Sequence, residues 1–270
     1  MRALLASPLG FLIGLSLGAL GGGGSILAVP ALVYAAGQSP KHATTTSLVL
    51  VALTALIGIV PHWRAGRVRV AAGTIFGLAG IGGSLLGSHW NKAANPDVLL
   101  LAFAGLMLIA AYGMWRRLTR SPQEVAPQSV GAAAAPPISP GIAWIQPMTI
   151  VKVIIAGTIV GLLTGFFGVG GGFVIVPALV LALGFTMPEA IGTSLLVITI
   201  NSAVALTTRL QAGAIEWGTV IPFTIASLVG VVVGSHLAHT RDSTSLQRWF
   251  VGLLVVVALY TAARSGLALR

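Results

Sequence analysis

Residues 14 to 117 of this chain reappear 147 positions later, without a gap, as residues 161 to 264. Gly21, Gly23 and Gly24 align with Gly168, Gly170 and Gly171, and Val29-Pro30-Ala31-Leu32-Val33 aligns with Val176-Pro177-Ala178-Leu179-Val180. Further on, Ala43, Thr46, Ser47 and Leu48 align with Ala190, Thr193, Ser194 and Leu195, and Gly87-Ser88-His89 with Gly234-Ser235-His236. A duplication of this extent limits the chain to folds with two equivalent halves that share whatever lies between them.

The solvent for those halves is lipid. Hydrophobic residues form 56% of the chain and charged residues 7%, with a mean hydropathy of +0.98, whereas about a quarter of a soluble domain is charged. There is no cysteine, so disulfides and thiolate metal sites are excluded, and no metal or cofactor is expected. In a soluble protein the net charge of +10 would suggest nucleic acid as a partner. Here most of it lies in loops between apolar stretches, where it sets orientation in a bilayer; an anionic substrate is its second use, and no nucleic acid is expected. The N-terminus resembles a secretory signal, but the same stretch recurs at 161 to 183, so it is expected to be retained.

Stretches long enough to cross a hydrocarbon core of about 30 Å fall at 9–36, 43–63, 70–90 and 97–115, and again at 153–183, 190–210, 217–238 and 245–264. The expected fold is an all-α polytopic membrane protein with a first repeat at 1–117, a Pro/Ala-rich linker at 118–147 and a second repeat at 148–270. With eight spans, eleven Lys and Arg lie on one side and four on the other, which places both termini and the linker in the cytoplasm and makes the repeats parallel. The alternative is that the glycine-interrupted first segment of each half enters and leaves on the same side. The repeats are then inverted and the basic residues divide six to nine. The larger asymmetry favours eight spans.

The interruptions are Gly21-Gly22-Gly23-Gly24 and Gly168-Val169-Gly170-Gly171-Gly172. Each glycine costs a helix about 1 kcal/mol relative to alanine, so the helix is expected to unwind there and to resume near Ile26 and Phe173. Unwound backbone at membrane depth is tolerated only when buried in protein or lining a wet cavity, and the resumed half-helices present free N–H groups and a positive dipole end to an anion. Close helix packing is the competing use of such glycines. Gly22, Gly23, Gly24, Ser25, Gly170, Gly171 and Gly172 are therefore candidate substrate-binding residues.

A second matched group opens the next span of each half: Thr46 and Ser47 against Thr193 and Ser194. Hydroxyls there either cap the helix or donate to an oxyanion without a fixed charge. Asn201, mid-span, either packs against another helix or offers its amide to substrate. His62 and Arg209 occupy equivalent span ends, and with Arg64 they are read as interfacial anchors or as an anion-collecting vestibule. The five acidic residues, Asp97, Glu124, Glu189, Glu216 and Asp242, all fall in loops or at span ends. That disfavours a cation substrate, and no H-E-x-x-H, acidic pair or cysteine nucleophile points to an enzyme.

A duplicated apolar half with G-x-x-x-G-x-x-G-x-G-G, then V-P-A-L, then A-x-x-T-S-L, then an Ala-Gly that continues as Ala212-Gly213-Ala214-Ile215-Glu216-Trp217, resembles the TauE/SafE family of sulfite exporters and related permeases. The resemblance implies movement of small sulfur-containing or organic anions, such as sulfite or sulfonates, across the bacterial inner membrane. The first half departs from the pattern at Arg67-Val68-Arg69. The expectation is a secondary transporter, more an exporter than an importer, working by alternating access between two repeats. A passive anion channel, a carboxylate transporter and a non-transporting membrane subunit are the rivals, and a homodimer is left open.

Overall fold

The structure is a computed structural model that describes residues 2–34, 37, 40–91, 96–119, 147–167, 172–209 and 217–268. Among these residues there are ten helices and no strand: α1 (Arg2–Leu20), α2 (Gly23–Tyr34), α3 (Pro40–Arg64), α4 (Val70–Asn91), α5 (Pro96–Thr119), α6 (Pro147–Phe167), α7 (Gly172–Leu181), α8 (Met187–Arg209), α9 (Trp217–Thr240) and α10 (Ser243–Ala268). Six of them are long and apolar enough to cross a membrane, which makes the chain a multi-pass membrane protein. Most of residues 118–147 lies outside the described residues, as do Gly168 to Gly171.

The first apolar stretch of the chain is a hairpin, not a span. Gly21 ends α1 in the left-handed region at φ 77°, a conformation glycine adopts without a Cβ penalty. Its N–H still donates to the Leu17 carbonyl at 2.8 Å, and the Gly22 N–H donates to the Leu20 carbonyl at 3.0 Å. The chain then turns back. A methyl on Gly24 would lie 2.9 Å from Leu17 Cβ and would overlap the Ile13 carbonyl, although an unbroken helix would hold Gly24 about 16 Å beyond Ile13. The interruption is narrower than the glycine run, because the helix resumes at Gly23 rather than near Ile26; in the second half it resumes at Gly172. α2 and α7 have 12 and 10 residues, about 18 and 15 Å of helix, too short to cross.

The register of close contacts fixes the sense of every helix around these hairpins. Gly10, Gly14 and Gly18 of α1 meet the carbonyls of Phe223, Ser227 and Val231 on α9, so α1 and α9 run in the same direction. Gly157, Gly161 and Gly165 of α6 meet the carbonyls of Phe76, Gly80 and Ser84 on α4 in the same parallel way. Every position in the second set is 147 residues from its counterpart in the first. Backbones approach this closely only where side chains are absent, and Ser227 Oγ donates across the first pair to the Gly10 carbonyl at 2.8 Å.

On α3, Gly58 faces Leu195 and His62 faces Gly192, so α3 and α8 are antiparallel. Gly73, Gly77 and Gly80 of α4 face Leu196, Ile200 and Asn201 in turn, so α4 runs with α8. Gly58 also meets Val231, and His62 stacks on His239, so α3 runs with α9. Thus α1, α3 and α9 share one sense, and α4, α6 and α8 the other. Helices at matched positions of the two halves are oppositely directed.

This corrects the parallel, eight-span expectation. Because α2 returns beside α1, the start of α1 and the end of α2 lie at the same end of the bundle, which is the inverted arrangement. The ends of α5 and α10 agree: Gln247, near the start of α10, donates from Nε2 to the Met114 carbonyl, near the end of α5, at 2.9 Å. Among the described residues, α5 therefore ends and α6 begins at the bundle face opposite the one where α1 starts and α10 ends. The eleven-to-four charge asymmetry came from counting each hairpin as a crossing. In the cysteine-free chain, Thr119→Cys and Ala263→Cys should react with an impermeant maleimide from opposite faces of sealed vesicles. Labelling of both from one face would contradict the inverted topology.

Candidate functional site

The starts of α2 and α7 meet inside the bundle, and their contact sets the geometry of the site. A methyl on Gly22 would overlap the carbonyl of Gly172, and one on Gly172 would lie 2.5 Å from Ser25 Oγ. The starts of α2 and α7 therefore abut, and the two helices run apart toward opposite faces. Gly21, Gly22, Gly23, Gly24, Ser25 and Gly172 are all buried, which meets the requirement that non-helical backbone at this depth be enclosed by protein. The first N–H groups of each helix have no partner within it, and each start carries roughly half a positive charge. Two such starts, head to head and shielded from water, form an electropositive point with no basic side chain.

Hydroxyls border it. Ser25 Oγ donates to the Gly22 carbonyl at 2.8 Å. Ser194 Oγ donates to the Ile191 carbonyl at 2.8 Å and lies 2.5 Å from where a methyl on Gly21 would be. Thr193 takes the other face of α8: its Oγ1 accepts from the Arg69 backbone N–H at 3.1 Å, which ties the start of α4 to α8. Thr46 and Ser47 are buried on α3. Asn201 lies two turns beyond Ser194, about 10 Å along the axis. There its amide nitrogen faces Gly80 of α4, and Oδ1 is buried with no hydrogen-bond partner among the described residues.

The structure thus brings together Gly22, Gly23, Gly24, Ser25, Gly172 and Ser194, and turns Thr193 and Asn201 elsewhere. Gly170 and Gly171 lie outside the described residues. The three vestibule residues do not assemble. His62 is fully buried at the end of α3, Arg64 is exposed, and Arg209 ends the antiparallel α8 at the opposite face.

Residues 6–261 match the family described as Sulfite exporter TauE/SafE. The chain belongs to that family. It is 34% identical over 264 residues to a "Probable membrane transporter protein" of Xylella fastidiosa, covering 95% of this chain and 93% of the relative. It is 25% identical over 263 residues to "Probable membrane transporter protein YunE" of Bacillus subtilis, covering 95% and 92%. No solved structure matches. This TauE/SafE protein is therefore a membrane transporter by family.

Sequence reasoning missed the interactions that hold the site in place. Glu189 Oε1 accepts from Arg69 Nη2 at 2.5 Å and from Nε at 3.1 Å, while Oε2 accepts from the Thr186 backbone N–H at 3.1 Å. The spacing Thr186-x-x-Glu189 is that of a capping box, and it was readable. At the same face the Arg117 guanidinium donates to the Val180 and Gly184 carbonyls, closing the end of α7 as basic side chains do at helix C-termini; no spacing announces that contact.

The packing separates two adjacent glycines. Gly22→Ala drives a methyl into the Gly172 backbone, whereas Gly23→Ala meets only the flexible end of Leu253, 2.6 Å away. Overpacking of this kind costs about 1–3 kcal/mol. Gly22→Ala should lower the unfolding midpoint in detergent and reduce flux at least tenfold, while Gly23→Ala stays near wild type in both. Equal effects would show that the two helix starts do not touch.

Proposed function

We propose that this protein is a secondary transporter of a small oxyanion, such as sulfite or a sulfonate, in the bacterial inner membrane, with export as its direction and no catalytic activity. The observation that carries this reading is the head-to-head meeting of the α2 and α7 starts. Two positive helix ends facing each other in a medium of low dielectric repel, and a small anion between them converts that repulsion into attraction on both sides. Gly22, Gly23, Gly24, Ser25 and Gly172 supply the backbone cradle, and the Ser25 and Ser194 hydroxyls, which here donate to the Gly22 and Ile191 carbonyls, rotate to donate to the anion when it binds. The counterpart positions Gly170, Gly171 and Ser47 are assigned to the same cradle through the duplication. The described helices carry no carboxylate near the reversals, which favours an anion over a cation.

Alternating access follows from how the halves interlock. The helix pairs α1–α9 and α4–α6 each join the two sequence halves, so the units that rock are not residues 1–117 against 148–270. They are a bundle of α1, α2, α3 and α9 and a bundle of α4, α6, α7 and α8, meeting along α3 and α8 with the reversals between them. Rocking of one against the other opens the cradle to alternate faces.

Counterflow tests this directly. Proteoliposomes preloaded with sulfite should take up radiolabelled sulfite several-fold faster than unloaded ones, with sulfonates competing better than acetate. Uptake indifferent to internal sulfite would indicate a channel, and preferential competition by acetate would indicate a carboxylate carrier.

A further inference from the structure

Between the reversals and the linker face, two histidines stack on each other, and the chain brings Arg67 to the same end of α3. His62, the fully buried end of α3, stacks on His239 in the last turn of α9, with ring centroids 5.3 Å apart and planes 27° from parallel. Arg67 is returned to this pair by the way α3 ends. Gly66 is left-handed at φ 67°; its N–H donates to the Trp63 carbonyl and that of Arg67 to the His62 carbonyl, both at 3.0 Å. These two bonds are the paired closure of a helix at a left-handed glycine. The Arg67 carbonyl and the His62 Cβ both abut Gly192 of α8, and Arg67 Nη1 is buried.

Among the described residues, His62 Nδ1 and Nε2, His239 Nε2 and Arg67 Nη1 are buried and form no hydrogen bond of normal geometry, and the Gly18 backbone of α1 lies beside the His62 ring. A buried polar group without a partner is destabilising, and these belong to side chains that repel one another when charged. The acid on the neighbouring α8, Glu189, is occupied by Arg69 and Thr186. Gly192 of α8 abuts His62, 3.1 Å from its Cβ, while Ile191 and Ser194 of the same turn abut Gly21. One turn of α8 therefore touches both the cluster and the helix reversal.

We propose that His62, Arg67 and His239 form a second oxyanion site, adjoining the reversals on the side of the linker face. The proposal rests on the transport reading for its ligand and extends it with residues that reading does not use. Each imidazole offers an N–H in either protonation state, and the guanidinium adds paired donors suited to two oxygens of one anion. In the present arrangement the nitrogens are closed off from water, so the ion arrives as the ends of α3 and α9 part. It is then held one helical turn from the cradle.

The test is equilibrium binding of radiolabelled sulfite to the full chain in lipid nanodiscs, alongside flux in proteoliposomes, for wild type, His62→Gln, Arg67→Gln and His239→Gln. Arg67 and His239 are partly exposed, so their variants keep the test alive if His62→Gln fails to fold. Losing a charge-assisted hydrogen bond should weaken binding about tenfold, and the half-saturation concentration for flux should rise more than the maximal rate falls. Unchanged binding and half-saturation in the folded variants would overturn the site and leave the reversals as the only one. Wild type that binds sulfite without moving it, and loses binding in Arg67→Gln, would keep the site and overturn the transport reading. No sulfite binding to wild type at millimolar concentration would overturn the site.

Discussion

The rule that backbone polar groups must be satisfied inside hydrocarbon governs this fold from the Gly21-Gly22 reversal outward. A helix that stops within the membrane leaves free N–H and C=O groups that lipid cannot satisfy, so the reversals can exist only at the centre of a bundle. α3 and α8 run past them, α10 reaches Gly23 through Leu253, and the starts of α2 and α7 cover each other. The same constraint that forces their burial produces the two unsatisfied helix starts. Structure and candidate chemistry therefore have one origin: the broken helices are enclosed because they are broken, and the enclosure makes their dipole ends effective.

The second organising feature is the pairing of α1 with α9 and α6 with α4. Glycines every fourth residue let the two backbones touch, and their carbonyls occupy the space that side chains would fill. Such pairs do not depend on a hydrophobic driving force, which lipid does not supply. They also stitch the two sequence halves together, so the duplicated units cannot separate as bodies. On the transport reading proposed above, motion is left to the α3–α8 seam, beside which the starts of α2 and α7 and the His62–His239 pair are found.

Much of this was legible in the residues. The spans expected at 70–90, 97–115 and 217–238 differ from α4, α5 and α9 by no more than a few residues, because a bilayer imposes length and apolarity together. The interruptions were legible because runs of glycine have one strong effect on a helix. Direction was not. A charge count depends on how many times the chain crosses, and nothing in Gly21-Gly22-Gly23-Gly24 states whether the helix bends or turns back. Nor does sequence say which face of a helix is which: Thr193 and Ser194 are adjacent and equally matched to the first half, yet about 100° of rotation sends one to Arg69 and the other to Gly21. Gly10, Gly14 and Gly18 recur every fourth residue, but nothing in the sequence names the helix they pack against. The cluster at the linker face joins residues from α3, a loop and α9, a proximity that only the tertiary fold creates.

The central claim is that a small oxyanion sits between the starts of α2 and α7. The most direct measurement is anomalous diffraction from crystals grown in lipid with selenite, a heavier analogue of sulfite. The account predicts a selenium peak with oxygens about 3 Å from the first-turn N–H groups of α2 at Gly23 to Ser25 and of α7 at Gly172 to Val174. Selenite bound elsewhere, with Gly22 still closed on Gly172 at a concentration that saturates exchange, would contradict it.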